Sequence, residues 1–366
     1  MKKLIQSQAV STGFALFSMF FGAGNIIFPL IVGQKAADQT FWAILGLLLT
    51  AVVVPFAGVL AMVLYDGSYS KFFSRIGKLP GFILTVIILT LLGPIGSIPR
   101  CIALSYSTIS ALIPALSSTG FSAAACLLIY LLSTRKKRLL SILGNYLTPL
   151  LLILLLGIIL KGLLAPAQTV LDPTMEIHPF WYGLKEGYNT MDLMAAFFFS
   201  STIISILKVK ERSFNSQSHG YLKIMIKASL IGGFLLAAVY IGFSYVAAFH
   251  ASNLPIKSDD QLLSILAIKV AGPYAGYVAC AIIALACLTT AIALSAVFAD
   301  FVQKEIFSYK IPYEKVLAAT LLVAFFVSTF EFTAISAFLA PILKICYPGL
   351  IALTVFNAAF PKKATT

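Results

Sequence analysis

The chain has 366 residues, of which 60% are hydrophobic and 11% charged, and its formal net charge is +13. Soluble domains run nearer about 45–50% apolar and about 25% charged, so a water-soluble fold of this size is excluded for want of charge to cover its surface. The basic residues fall between apolar blocks, which points to orientation in a lipid bilayer and away from a nucleic-acid partner.

Ten apolar blocks follow one another, at about 9–34, 40–64, 79–110, 116–133, 141–164, 188–207, 224–249, 271–299, 313–331 and 333–358. Most reach the roughly 20 residues that a helix needs to cross a hydrocarbon core. Met1-Lys2-Lys3 opens like a signal peptide, but the block behind it is too long and has no clear cleavage site, so a retained first helix is expected.

The first block reads FALFSMFFGAGNIIFP from Phe14 to Pro29. Gly22, Ala23, Gly24, Asn25 and Pro29 are poor material for a continuous lipid-facing helix. They suit an unwound stretch whose freed backbone is satisfied by neighbouring protein; close helix packing through small residues is the other reading. In the third block Arg100 follows Pro99, as a gate, a carboxylate attractor or a residue snorkelling to the outer interface.

Segment 165–187 holds Pro166, Pro173 and Pro179 and is expected to be a loop without a long helix, at headgroup level on the outside. It divides the chain into repeat 1, about 9–164, and repeat 2, about 188–358, within a single transmembrane domain. The sixth block offers a partner for the first: MFFGAGNII from Met19 aligns weakly with AFFFSSTII from Ala196, which sets the expected break at Ser200-Ser201-Thr202. Interrupted helices opening each half are the pointer to a midplane site in an inverted-repeat transporter. Five helices per half is an odd number, so the halves insert with opposite orientation. Half-helix N-termini suit a carboxylate, and unwound carbonyls and hydroxyls suit Na+.

Asp192, in GYNTMD, is either a first-turn acid matched to the helix dipole or a gate. Of Phe197, Phe198 and Phe199, helix geometry lets one or two line an aliphatic pocket. Lys344, inside the last block, must face the bundle or snorkel. Cys101, Cys126, Cys280, Cys287 and Cys346 form no metal-ligand pattern and read as small hydrophobes.

With the N-terminus inside, the cytoplasmic segments hold Lys2, Lys3, Lys71, Arg75, Lys78, Arg135 to Arg138, Lys208, Lys210, Arg212, Lys223, Lys227, Lys304, Lys310, Lys315, Lys362 and Lys363. The outer segments hold only Lys35, Lys161, Lys185, Lys257 and Lys269. This asymmetry places both termini in the cytoplasm. No carbonyl filter or charged ring suggests a channel, and no HExxH, GxSxG or paired intramembrane carboxylates suggest an enzyme.

GFALFSMFFGAGNIIFPLIVG resembles the first helix of the bacterial branched-chain amino acid:cation symporter family, the BrnQ-type carriers. The likeness continues in LLGPIGSIPRCIAL, LGNYLTPLLLILLL, GYNTMDLMAAFFF, CLTTAIALSAVFADF and PILKICYPGLIAL, in family order along almost the whole chain. The resemblance implies an all-α, LeuT-like fold of about ten transmembrane helices in a 5+5 inverted repeat, with helices 1 and 6 broken. It implies a multi-pass protein of the bacterial cytoplasmic membrane importing leucine, isoleucine and valine with Na+, no cofactor being needed. An H+-coupled carrier, or one for another neutral amino acid such as methionine, is the alternative.

By that resemblance Gly22, Ala23, Gly24, Asn25, Phe198, Phe199 and Ser200 would bind substrate. Ser18, Phe21, Ala286, Thr289 and Thr290 would hold Na+, and Arg100 and Asp192 are gate candidates. The family often has glycine where Ser200 stands, a glutamate several residues after the Pro-Arg element, and an uncharged residue at Lys344. The expectation of Na+ over H+ rests on no carboxylate lying near the centre of the eighth helix or of the unwound stretch of the first. The oligomeric state is left open.

Overall fold

The structure is a computed structural model that describes residues 2–110, 112–113, 115–134, 143–166, 177–213, 220–250 and 259–360. Every regular element among them is helical. The first span is α1 (Lys2–Phe20) and α2 (Ala23–Ala36), parted at Phe21 and Gly22. The second is α3 (Thr40–Leu48) and α4 (Val54–Leu64), joined by one wide helical turn over Leu49–Val53. A short α5 (Tyr69–Phe73) precedes the third span, α6 (Lys78–Leu92) and α7 (Ser97–Ser110). The fourth is α8 (Ser118–Ser133) and the fifth is α9 (Thr148–Leu164).

The second half opens with α10 (Pro179–Tyr188) and α11 (Asp192–Ser213), which form the sixth span. The seventh is α12 (Gly220–His250). A short α13 (Leu262–Ala271) leads to the eighth, α14 (Ala275–Phe301). The last two are α15 (Tyr313–Ser328) and α16 (Phe332–Ala359). Among the described residues, seven helical stretches are long and apolar enough to cross a membrane, and many of their large apolar side chains face outward, among them Ile153, Leu230, Phe234 and Val355. That is the surface of a protein dissolved in lipid.

The structure departs from the sequence reading in four places, each with a local cause. The third block is not one helix: Gly93, Pro94 and Gly96 interrupt it, Pro94 having no N–H to continue the ladder. The segment 165–187 is not helix-free: Pro179 occupies the first turn of α10, where a missing N–H costs nothing, and His178 caps it by accepting the Phe180 N–H at 3.3 Å. Residues 167–176 of that segment lie outside the described residues. The eighth block becomes helical only from Ala275, because Gly272, with φ +88°, and Pro273 separate α14 from α13 at its start.

The fourth departure bears on function. The sixth span breaks at Asn189-Thr190-Met191, not at Ser200-Ser201-Thr202. Ser200 lies inside continuous α11 and returns its hydroxyl to the carbonyls of Ala196 and Phe197, at 2.6 and 3.1 Å. Serine can make this bond without interrupting a helix.

Two groups of spans pack among themselves. The broken first and sixth spans lie against the second and seventh: α12 runs along α1 and α2, α10 along α3, and α11 along α4. The third, fourth, eighth and ninth form the second group, with α14 along α7 and α8, and α15 along α8. The seam between α3 and α10 is backbone on backbone. A Cβ on Gly183 would stand 1.9 Å from the Ala43 carbonyl oxygen, and one on Gly46 would stand 2.0 Å from that of Phe180. The two breaks lie inside the first group and face the second.

Candidate functional site

The first break is made by one amide. In a continuous helix the Gly22 N–H would bond the Ser18 carbonyl. Here it turns to Asn25 Oδ1 at 3.2 Å, with Gly22 extended at φ −120°, ψ −157°. Asn25 thereby caps α2 from within its first turn, and the first N–H groups of α2 are left without intrahelical acceptors. Pro29, also inside α2, donates nothing to the Asn25 carbonyl. Its own carbonyl accepts the Ser244 hydroxyl at 2.9 Å.

The freed Ser18 carbonyl accepts the hydroxyls of Thr289 and Thr290 on α14, at 3.0 and 3.4 Å. Thr289 also reaches the Ala286 carbonyl at 2.9 Å. Ser18 Oγ is buried there without a partner. Gly22 is glycine because α14 comes so close: a Cβ would stand 2.9 Å from Thr290 Oγ1. Four of the five residues assigned to Na+, namely Ser18, Ala286, Thr289 and Thr290, thus meet through oxygen atoms. Phe21 is buried beside them, its N–H on the Phe17 carbonyl at 2.8 Å and its ring stacked on Phe17.

The second break is held by backbone strain and by α16. Met191 has φ +64°, a left-handed conformation uncommon outside glycine. The Leu193 N–H, in the first turn of α11, donates to Tyr347 Oη at 3.1 Å. Asp192 is 2% exposed, and its Oδ2 accepts Asn25 Nδ2 at 2.6 Å and Tyr240 Oη at 3.0 Å. The Asn25 amide also contacts Tyr240. Neither the first nor the eighth span brings a carboxylate here, but with the break at 189–191 the sixth does: Asp192 sits where the two broken spans meet.

Arg100 is no snorkelling residue. It is 3% exposed and sits one turn into α7. Its Nη1 donates to the Asn189 carbonyl at 3.2 Å and lies 3.5 Å from Met191 Sδ. The rings of Phe28 and Phe332 lie 5.4 and 5.3 Å from its guanidinium carbon. Nε and Nη2 have no partner. No ion pair joins Arg100 to Asp192 among the described residues.

These groups surround one narrow cleft. Gly22, Ala23, Gly24, Asn25, Arg100, Asp192, Thr290 and Phe199 all line it, as do Met19, Thr190 and Met191. Its open core is about 20 Å³, room for little more than one water molecule. This conformation is closed to an amino acid, and entry requires helices to part. Phe198 does not reach the cleft; it packs on Tyr69 and Phe73. Ser200 does not reach it either. Lys344 is exposed on the outer face of α16, between buried Leu343 and Tyr347, and faces neither the cleft nor the oxygen cluster.

A second, apolar cavity of about 250 Å³ lies between α7, α8 and α14, lined by residues such as Ile102, Ile109, Phe121, Ile129 and Leu288. Cys101 belongs to the walls of both cavities. The five cysteines are free thiols, four of them buried.

Asn189, Thr190, Met191, Tyr240 and Tyr347 were not among the expected site residues. GYNTMD carried a usable signal for the first three, since Gly187, Asn189 and Thr190 are turn-formers before a first-turn acid. Nothing in sequence marks Tyr240, which lies mid-helix among apolar neighbours.

A sequence model of a family described as branched-chain amino acid transport protein matches residues 5–365. The branched-chain amino acid permease BrnQ of Corynebacterium glutamicum is 30% identical over 96% of this chain and 80% of its own length. The permease BraB of Bacillus subtilis is 31% identical over 94% and 78%. Among solved structures, the inward-facing conformation of Mhp1 superposes with a TM-score of 0.60 at 13% identity, covering 94% of this chain and 76% of that one. At that identity the likeness speaks for fold alone, and the fold is LeuT-like: five plus five spans with the first and sixth broken.

Proposed function

The chain belongs to the branched-chain amino acid transport protein family, a family of transporters and not of enzymes, and from that premise we propose that it imports leucine, isoleucine and valine by symport with Na+. The protein would work in the bacterial cytoplasmic membrane with both termini inside.

The observation that carries this reading is the meeting of the two helix breaks over one buried cleft, beside a cluster of oxygens. The breaks supply what a free amino acid needs: helix N–H groups without intrahelical acceptors for its carboxylate and a buried acid near its ammonium. The Ser18 and Ala286 carbonyls and the Thr289 and Thr290 hydroxyls supply what Na+ needs, uncharged hard oxygens. The unpartnered Ser18 Oγ supports the fit. Ion and substrate would then be coupled through Gly22, which separates the Ser18 carbonyl from the start of α2. Binding of each favours the same arrangement of the break.

One observation favours a proton instead. Asp192 is a buried carboxylate hydrogen-bonded across both breaks, and such a group can carry H+ between the two faces. Uptake of radiolabelled leucine into proteoliposomes with imposed gradients separates the two. Accumulation that requires inward Na+ and is lost on choline replacement is expected. Accumulation that ignores Na+ and follows an imposed pH gradient would overturn the sodium assignment and make Asp192 the coupling residue. Absence of uptake of all three branched-chain substrates under either gradient would overturn the substrate assignment.

A further inference from the structure

The cleft contains a buried positive charge whose most useful edge is unused. A guanidinium offers three edges. One amino group of Arg100, Nη1, is engaged by the Asn189 carbonyl and the Met191 sulfur. The aromatic rings of Phe28 and Phe332 lie within cation–π range. The remaining edge, formed by Nε–H and Nη2–H, has no acceptor. It is the edge that accepts a carboxylate side-on with two parallel hydrogen bonds.

Burying a cation is costly unless an anion meets it. Asp192, the only acid in the lining, does not do so: its Oδ2 is taken by Asn25 and Tyr240. The free edge also points where the substrate reading needs it. Nη2 lies 3.2 Å from the position of a Cβ on Gly24, in the first turn of α2. A carboxylate at that helix N-terminus is within reach of both the first-turn N–H groups, which have no intrahelical acceptors, and the guanidinium. Phe28 and Phe332 flank the guanidinium, with ring centroids 5.4 and 5.3 Å from its carbon.

We propose that Arg100 is the residue that reads the substrate's carboxylate, holding it side-on through Nε and Nη2 against the N-terminus of α2. The inference rests on the reading of this cleft as an amino-acid site, but not on which ion drives transport. It makes the carboxylate a condition of binding. A free amino acid is accepted, and the amine with the same side chain is refused, because it would leave the buried cation without its anion.

The test is binding to the purified full-length protein, measured by competition against a radiolabelled amino acid and by thermal shift. The probes are the twenty amino acids and 3-methylbutylamine, which keeps the ammonium and side chain of leucine but lacks the carboxylate. Leucine is expected to bind at least about 100-fold more tightly than the amine. Arg100→Gln should lose leucine affinity by a similar factor and leave the amine unchanged. Arg100→Lys, which keeps the charge without the fork, should lose about tenfold or more.

If the amine competes as well as leucine, the proposal is wrong. It is equally wrong if either variant keeps wild-type leucine affinity and loses only transport, since Arg100 would then be a gate. Should Arg100→Gln fail to fold, the wild-type comparison and the lysine variant decide. Arg100-dependent binding of some other amino acid, with none of leucine, isoleucine or valine, would remove the substrate assignment and keep this one. No binding of any amino acid at millimolar concentration would remove both.

Discussion

Asn25 and Asp192, 167 positions apart in sequence, are joined by a 2.6 Å hydrogen bond from the amide of the first to the carboxylate of the second. Asn25 lies in the first turn after one helix break and Asp192 opens the helix after the other. The same asparagine accepts the Gly22 N–H through its oxygen, so a single side chain fixes the first break and ties it to the second.

Asn25→Ala removes all of these bonds at once. It leaves the Gly22 N–H and part of Asp192 buried without partners, at a cost of about 1–3 kcal/mol. Thermal unfolding in detergent should move down accordingly. Leucine uptake should fall by at least tenfold at equal protein in the membrane. Uptake within twofold of wild type would show that the two breaks do not depend on this link.

The oxygen cluster is tested at Thr290. Thr290→Val removes one ligand oxygen and nearly keeps the volume. The Na+ concentration for half-maximal uptake should rise on the order of tenfold, the scale seen when groups supporting a bound metal are removed. Leucine binding at saturating Na+ should change much less. Gly22→Ala attacks the same place sterically, since its Cβ would stand 2.9 Å from Thr290 Oγ1, and should shift the Na+ dependence in the same direction. A pure loss of leucine affinity with unchanged Na+ dependence, in both variants, would argue against an ion at this cluster.

Cys101 separates the cleft from the apolar cavity beneath α8. A branched aliphatic side chain leaving the cleft toward α7 would pass this thiol. Cys101→Ala should therefore relax selection by size, raising methionine uptake relative to valine. Cys101→Val should restrict it in favour of valine. A hydrophobic pocket discriminates by only about 10- to 200-fold per methylene, so shifts of about threefold to tenfold in the ratio are the expected readout. Unchanged ratios in both variants would place the side chain elsewhere.

The charge partition predicts orientation. Trp181, in α10, is more than half exposed. A single cysteine at that position should react with a membrane-impermeant maleimide applied outside intact cells. Reaction only after the cytoplasmic face is opened would invert the topology.

Much of the fold was legible because the bilayer enforces it. The ten apolar blocks and the even parity follow from the cost of burying charge and unpaired backbone in hydrocarbon. The first break was also legible, since glycines and proline cluster within eight positions of FGAGNIIFP. The second was displaced by about ten residues in the sequence reading. Its signal, Asn189-Thr190-Met191, holds no proline and no glycine, and its strain is borne by a methionine at positive φ. A turn held open by tertiary contacts, here Tyr347 on Leu193 and Arg100 on Asn189, leaves only the turn-formers of GYNTMD as its local trace. The same displacement left Asp192 a gate candidate at an outer helix start, whereas the fold sets that helix start against the first break. Ser200 was singled out because it sat at the supposed break, and Phe198 because it belongs to an aromatic run of which one or two members could line a pocket. Once the break moves, both become ordinary residues of α11.

The Asn25–Asp192 bond also sets an order of events during synthesis. A ribosome adding about 5–20 residues per second needs roughly ten to thirty seconds to make the chain between them. Throughout that interval the acceptor of the Asn25 amide is not yet translated. The N-terminal half is therefore an unfinished object, its break lacking the contact that ties it down. A chain ended after the fifth span should be cleared by membrane proteases well before the full-length protein in a pulse-chase. The second repeat, in this sense, is what completes the first.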